Sequence, residues 1–266
     1  YQALANAAIE GDVFSAQSRA LPSRLKNYTQ ISKKEYEVTG TTEATNMAGV
    51  KKMLMRHRAR AGMELKRDME TSMLGNNPAS AGTSTSPRVA GGVPNWIYTN
   101  NHIKLTGQTV WSTTAPASGF ATATIPGAST TAFTETDLKA MHQQAWSCGG
   151  EADTLLCQPA VYNTISGFTG LATRFRDVQS RQQAQIIGAA DVYVSPYGSI
   201  NITLSRYIMS ASAFLLDMSS WEVAYLRNFK TIPIATVGDS TRETMLAEWT
   251  LVAKTSLANT KVHGIL

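Results

Sequence analysis

The stretch from about Glu43 to Leu74 constrains this chain more than any other. Thr41 or Thr42 can cap it, Glu43 sits in its first turn, and Gly75 followed by Pro78 stops it. Read as one helix of 32 residues, it spans roughly 48 Å at about 1.5 Å per residue. That exceeds the width of a compact domain of this size. Met47, Val50, Leu54, Ala61, Leu65, Met69 and Met73 share one broad arc at 100° per residue, which is the face to be buried. Lys51, Arg58 and Asp68 interrupt the arc. The opposite face carries Arg56, Arg60 and Arg67. Arg56 and Arg60 are four residues apart and repel in an isolated helix. Two readings follow: a solvated face, or a face that pairs with acidic groups on a neighbouring chain.

The rest of the chain is α+β. Residues 1–24 show no firm period and read as an extended or loop segment. Tyr36 and Val38 alternate with Glu35, Glu37 and Thr39, a period of two that makes residues 27–40 strand. Residues 76–90 and 112–134 are long loops; ten of the latter 23 residues are Ser or Thr. Between them residues 93–100 form a short apolar patch. A second helix is predicted from about Glu135 to Cys148, with Thr134 and Asp137 approximating a capping box and Gly149-Gly150 ending it. Residues 154–157 read as a short strand, and Pro159 opens a short helix. From 191 onward the pattern is β, with strands predicted at 191–194, 200–204, 214–217, 221–227, 231–237 and 243–254. On the last, Met245, Ala247, Trp249, Leu251 and Ala253 form one apolar face. No repeat appears, and the regular βαβ alternation of a doubly wound fold is missing.

Composition narrows the classes. Charged residues are 16% of 266, against about 25% in ordinary globular chains. A surface short of charge is easier to explain if neighbours bury much of it. The net charge of +5 is mildly basic and below the density of a dedicated nucleic-acid binder. Cys148 and Cys157 are too few for a disulfide framework or a structural zinc site, and read as small buried hydrophobes in a reducing compartment. No run of 18 apolar residues or opening signal peptide occurs, so no membrane partner is expected. The chain opens on Tyr1, so a longer gene product is expected.

The search for chemistry returns little. There is no phosphate loop, no Gly-x-Gly-x-x-Gly after a strand and no nucleophile elbow. His57, His102, His142 and His263 are scattered without metal-ligand spacing. Glu64, Asp68 and Glu70 lie among Lys66 and Arg67, which reads as a charge-paired helix surface. No catalytic residue, cofactor or metal is expected.

Ordered motifs carry the functional expectation. They are Glu10-Gly11-Asp12, Asn27-Tyr28-Thr29-Gln30-Ile31, Val38-Thr39-Gly40-Thr41, Glu64-Leu65-Lys66-Arg67-Asp68-Met69-Glu70 and Gly91-Gly92 with Trp96-Ile97. Trp146 with Gly149-Gly150, Tyr193 with Tyr197-Gly198, Leu216-Asp217, Gly238-Asp239 and Glu248-Trp249-Thr250-Leu251 follow in order. Together they resemble the tailed-phage major capsid proteins, over nearly the whole chain. That resemblance implies the Johnson fold: an extended β-hairpin loop over 1–42, a peripheral domain over 43–134 with its spine helix at 43–74, an axial domain over 135–212, and the rest of the peripheral sheet over 213–266. An N-terminal arm belongs to that fold and lies outside this chain. The implied function is assembly of hexamers and pentamers into an icosahedral shell around double-stranded DNA, without enzymatic activity. Candidate contacts between subunits are Arg56, Arg60, Arg67, Tyr36 and Val38. Portal and decoration proteins, and DNA held on the inner face without sequence readout, are the implied partners; the virion, assembled in the bacterial cytoplasm, is the implied location. The competing readings are an encapsulin-like compartment shell and an α+β enzyme with a site of scattered residues.

Overall fold

The computed structural model describes residues 10–11, 25–45, 49–50, 52–98, 100–105, 108–112, 119–121, 131–168, 192–236 and 238–265. The expectations for the opening segment, most of the 112–134 loop, Met47, Lys51 and Val237 lie outside these. In chain order the elements are β1 (Gln30–Thr39), α1 (Gly40–Ala44), α2 (Met53–Leu74), α3 (Val93–Trp96), β2 (Asn101–Leu105), β3 (Gln108–Ser112), α4 (Glu135–Ser147), β4 (Thr154–Cys157) and α5 (Pro159–Ser166). They continue with β5 (Val192–Ser195), β6 (Gly198–Leu204), β7 (Ser212–Leu216), β8 (Trp221–Ile234), β9 (Ser240–Ala253) and β10 (Thr260–His263).

Two sheets organise them. A three-stranded antiparallel sheet runs β1-β9-β8, and a seven-stranded mixed sheet runs β3-β2-β10-β7-β4-β6-β5. β7 sits at the centre of the larger sheet and is buried along its whole length. Its alternation sends Ala213 and Leu215 into one core and Phe214 and Leu216 into another. The first core lies under α4 and α5, where Leu138, Met141, Ala145, Val161 and Ile165 meet Leu155, Ile200 and Val262. Each fully buried side chain of Leu or Ile size contributes about 1.5–3 kcal/mol. The second core joins the two sheets: Leu74 at the end of α2, Val93 and Trp96 of α3, Ile208 and Leu251 of β9 pack on Phe214 and Leu216. Gly92 permits that junction, because a Cβ there would collide with the Gly75 and Met73 carbonyl oxygens.

The helix α4 forms as its sequence prescribes. The Asp137 amide donates to Thr134 Oγ1 and the Thr134 amide donates to Asp137 Oδ2, a complete capping box. Gly150, just past its end, lies so close to Ala258 that any side chain would clash.

The expected 32-residue helix is corrected. The helix of 43–74 is in fact α1, a break, and the 22-residue α2, about 33 Å long. Thr45 and Lys52 are extended and Gly49 has φ +86°, so the helical path cannot run through. The Glu43 carboxylate, read from sequence as a first-turn residue of one long helix, instead accepts from the Met53 and Leu54 amides at 3.1 and 3.2 Å. It supplies from ten residues upstream the cap that α2 lacks.

The two sheets draw their strands from distant parts of the chain. β1 is no free extension: all ten residues pair with β9. β2, β3, β7 and β10 join β4, β5 and β6 in the seven-stranded sheet. β7 and β10, short and buried on both faces, carry no sequence signal of which sheet they join. The strands expected at 221–227 and 231–237 are one strand, β8, whose register against β9 shifts between Tyr225 and Lys230. The 76–90 loop is tied down by a Ser80–Val89 bridge and by hydrogen bonds from the Ala90 and Gly91 amides to Gln30 and Asn27 side chains.

Candidate assembly surface

The smaller sheet has two faces with different chemistry. Helix α2 covers one. Ala61, Leu65 and Met69 are buried there, with Trp249 at 0% exposure beneath them. Gly62 lies over the Met245 side chain. The two described charges that interrupted the apolar arc are used. Arg58 makes a bidentate ion pair with Glu243, donating from its η2 nitrogen at 2.7 Å and from Nε at 3.2 Å. Asp68 pairs with Lys34 at 2.7 Å. The Tyr36 hydroxyl donates to Glu243 at 2.7 Å. The Arg58 guanidinium holds the Glu243 carboxyl below the usual range against an opposing contribution from burial, and burial raises the Tyr36 phenol.

On the opposite face Glu248 is nearly buried. It accepts from Thr29 Oγ1 at 2.8 Å, from Arg227 Nε at 2.7 Å and from Arg88 at 2.9 Å. These partners, Thr29 first, keep its carboxyl below the ordinary range although burial opposes them. Glu243 and Glu248 are five apart on β9, so the pleat aims them to opposite faces. Each binds a different part of the chain to the same strand.

The expected contact residues separate into two groups. Arg56, Arg60 and Arg67 are exposed on the side of α2 turned away from the sheet. Arg60 Nε donates to Glu64 at 2.8 Å across one helical turn. Tyr36 and Val38 are engaged within the chain: the Tyr36 hydroxyl donates to Glu243, and Val38 is 4% exposed. On the same strand Gln30 and Lys34 bond Ser72 and Asp68 of α2.

Sequence reading missed a second set. Leu226 (67% exposed), Tyr225, Ile232 and Ile234 make an apolar edge on β8. Around the irregular register, Arg227, Asn228, Phe229, Lys230, Ile232 and Leu246 line an open groove of about 470 Å³. Val192 and Val194 project from the outermost strand of the larger sheet, and Trp146 stands 58% exposed at the end of α4 beside Tyr197. The signal available was weak: adjacent apolar residues in a strand must send one outward, but only the fold says which is left uncovered.

His142 and Ser195 are hydrogen-bonded at 2.7 Å, as are His263 and Ser212. Both pairs are buried and join elements within the larger half. Burial lowers the pKa of His142 and of His263 and raises Cys157 to about 11, which keeps that thiol inert. Among the described residues no group of His, Cys, Asp and Glu could hold a metal ion, and no helix is long and apolar enough to cross a membrane.

A family model described as SU10 major capsid protein matches residues 2–266. No curated protein sequence matches. Among solved structures, the chain is similar to a chain of the satellite phage P4 procapsid with its size determination (Sid) protein, with TM-score 0.56, 11% identity, and 99% of this chain and 80% of that one covered. It is similar to the cyanophage A-1(L) capsid asymmetric unit, with TM-score 0.56, 12% identity, and 89% and 77% covered. It also resembles the holo-SrpI encapsulin complex of Synechococcus elongatus, with TM-score 0.54, 11% identity, and 89% and 74% covered. At such identities these three show the Johnson fold, which phage and encapsulin shells share, and the family model decides between them. The chain belongs to the SU10 major capsid protein family: it is a tailed-phage major capsid protein, a structural component of the shell and not an enzyme.

Proposed function

We propose that this capsid subunit assembles into hexamers and pentamers of an icosahedral shell around double-stranded DNA. The three-stranded sheet with α2 serves as the peripheral part and the seven-stranded sheet with α4 and α5 as the axial part. The observation that carries the reading is the distribution of exposed groups. Exposed Arg56, Arg60 and Arg67 line one side of α2, and exposed apolar residues gather on β8 and at the outer end of the larger sheet. Such patches cost a lone subunit solvation and are relieved against neighbours. Individually weak contacts become strong when each subunit makes several at once. The arginines meet acidic groups of adjacent subunits. The excess of five positive charges supports loose DNA holding on the inner face, governed by salt and not by sequence. Portal and decoration proteins complete the particle, which forms in the bacterial cytoplasm.

Electron microscopy of particles purified from cells expressing the chain tests this directly. The chain should form the shell lattice. A stable monomer with no tendency to assemble across protein concentrations overturns it.

A further inference from the structure

We infer that the outward stripe of α2 on one subunit docks against the Trp146–Asp153 end of the larger half of a second copy. The inference deepens the proposed function and rests on its reading of Arg56 and Arg67 as subunit contacts.

The stripe is Arg56, Met63 and Arg67. At 100° per residue these lie within about 40° of one another, directly opposite the buried Leu65 side. Met63 is 54% exposed and the two arginines are exposed. Neither arginine makes an ion pair among the described residues, whereas Arg60 is held by Glu64 and Arg58 by Glu243. Over eleven residues the stripe is about 16 Å long.

The complementary patch lies where α4 ends. Trp146 is 58% exposed, the Gly149-Gly150 turn follows, and Glu151 and Asp153 are exposed. Neither carboxylate makes an ion pair among the described residues; Glu10, Glu70, Asp217 and Asp239 make none either, but Glu151 and Asp153 are the two that follow the exposed Trp146 within a few residues. One strand segment sets the size of this patch. Trp146 packs 5.8 Å from Tyr197, just before β6, and the Asn201 amide of β6 donates to the Asp153 carbonyl at 2.7 Å. Four residues of strand make that about 13 Å.

The two surfaces therefore match in length, in charge and in apolar content. Two unpaired guanidinium groups face two unpaired carboxylates. Met63, adaptable in shape, faces the Trp146 ring, and an arginine beside that ring adds a cation–π contact. Arg and Trp are the residue types that dominate interface energies. The second copy is the occupant because the family makes this a shell subunit and because the complementary charges lie on the same chain.

The test is a charge exchange. Arg56→Glu/Arg67→Glu should lower particle yield at least about tenfold by sedimentation. Far-UV circular dichroism and melting should stay unchanged, since both residues are exposed. Glu151→Lys/Asp153→Lys should do the same. The protein carrying all four changes should regain particle formation to within about twofold of the starting chain. If the double arginine variant assembles normally, the arginines are not subunit contacts and the underlying reading falls with the inference; loss of packaged DNA in such particles would assign the stripe to nucleic acid. If both double variants fail and the fourfold variant fails too while still folded, the arginines remain contacts but Glu151 and Asp153 are not their partners.

Discussion

Under α4 and α5, sixteen buried apolar residues form a single cluster against the seven-stranded sheet. Beneath α2, the cluster private to the three-stranded sheet holds Met69, Ala90 and Trp249. The smaller half makes up the difference with charge: Glu243 is tied to Arg58 and Tyr36, Glu248 to Arg88, Arg227 and Thr29, and Lys34 to Asp68. The difference teaches how a shell subunit divides its labour. Close-packed apolar cores have one arrangement and resist deformation. A thin layer of helix on sheet, held by directional pairs at a few points, can bend while keeping its partners. On the proposed function, a subunit that serves both hexamers and pentamers needs both behaviours in one chain.

The comparison is most sharply tested at Trp249. Trp249→Ala should cost about 4 kcal/mol and remove hydrogen-exchange protection from β1, β8 and β9 while leaving β4 and β7 protected. Leu138→Ala in the larger core should cost about 3 kcal/mol, with protection lost first in α4 and β7. If the two variants give the same exchange pattern, the halves are one cooperative unit and the contrast fails.

Glu248→Gln tests the charge-held side. It keeps the shape and weakens two ion pairs, and should lower stability by roughly 1–3 kcal/mol in urea unfolding. A variant as stable as the parent would mean that packing alone holds this sheet.

The pH response should separate the halves. Glu243 and Glu248 are held below the ordinary carboxylate range, so their contribution is present above about pH 4.5 and is lost as pH falls through the folded values. Exchange protection in β1 and β9 should therefore drop in that acid range. In the larger half a buried lysine gives a slope of the same sign in a higher window. Lys261 is fully buried, its ammonium donates to the Pro94 carbonyl, and burial lowers its pKa to about 7. The unfolded chain then binds more protons between about pH 7 and 10, so stability falls as pH falls through that window and levels off below it. Lys261→Met should flatten this slope without altering the acid transition of the smaller half; an unchanged slope above pH 7 would remove Lys261 as its origin.

The smallest effect is expected at Arg60. Its pair with Glu64 is exposed, and Arg60→Ala should change stability by no more than about 0.5 kcal/mol. A larger loss, measured on unassembled subunit, would show that α2 depends on its outer charges.

Much of this was legible in advance because local rules governed it. The capping box of α4, Pro159 at the start of α5, the period of two in β1 and the apolar face of β9 all follow from side-chain geometry within a few residues. The same holds for the basic side of α2, whose outward direction is set by 3.6 residues per turn; the partners of Arg58 and Asp68, Glu243 and Lys34, were not legible, because they come from β9 and β1. The exposed Trp146 and the β8 edge were not legible, since exposure depends on which neighbouring element fails to cover a residue.

By itself, then, the sequence determined the class of the fold, most of its elements and, through ordered motifs, the capsid family. Tertiary structure decided the rest. Glu43 caps a helix ten residues away, β10 inserts between β2 and β7, and Val38 is covered by its own chain. Such outcomes join residues more than two hundred positions apart, such as Thr29 and Glu248, 219 apart. No local propensity encodes such pairings; they appear only when the whole chain has found the arrangement that buries its apolar faces and satisfies its buried charges together.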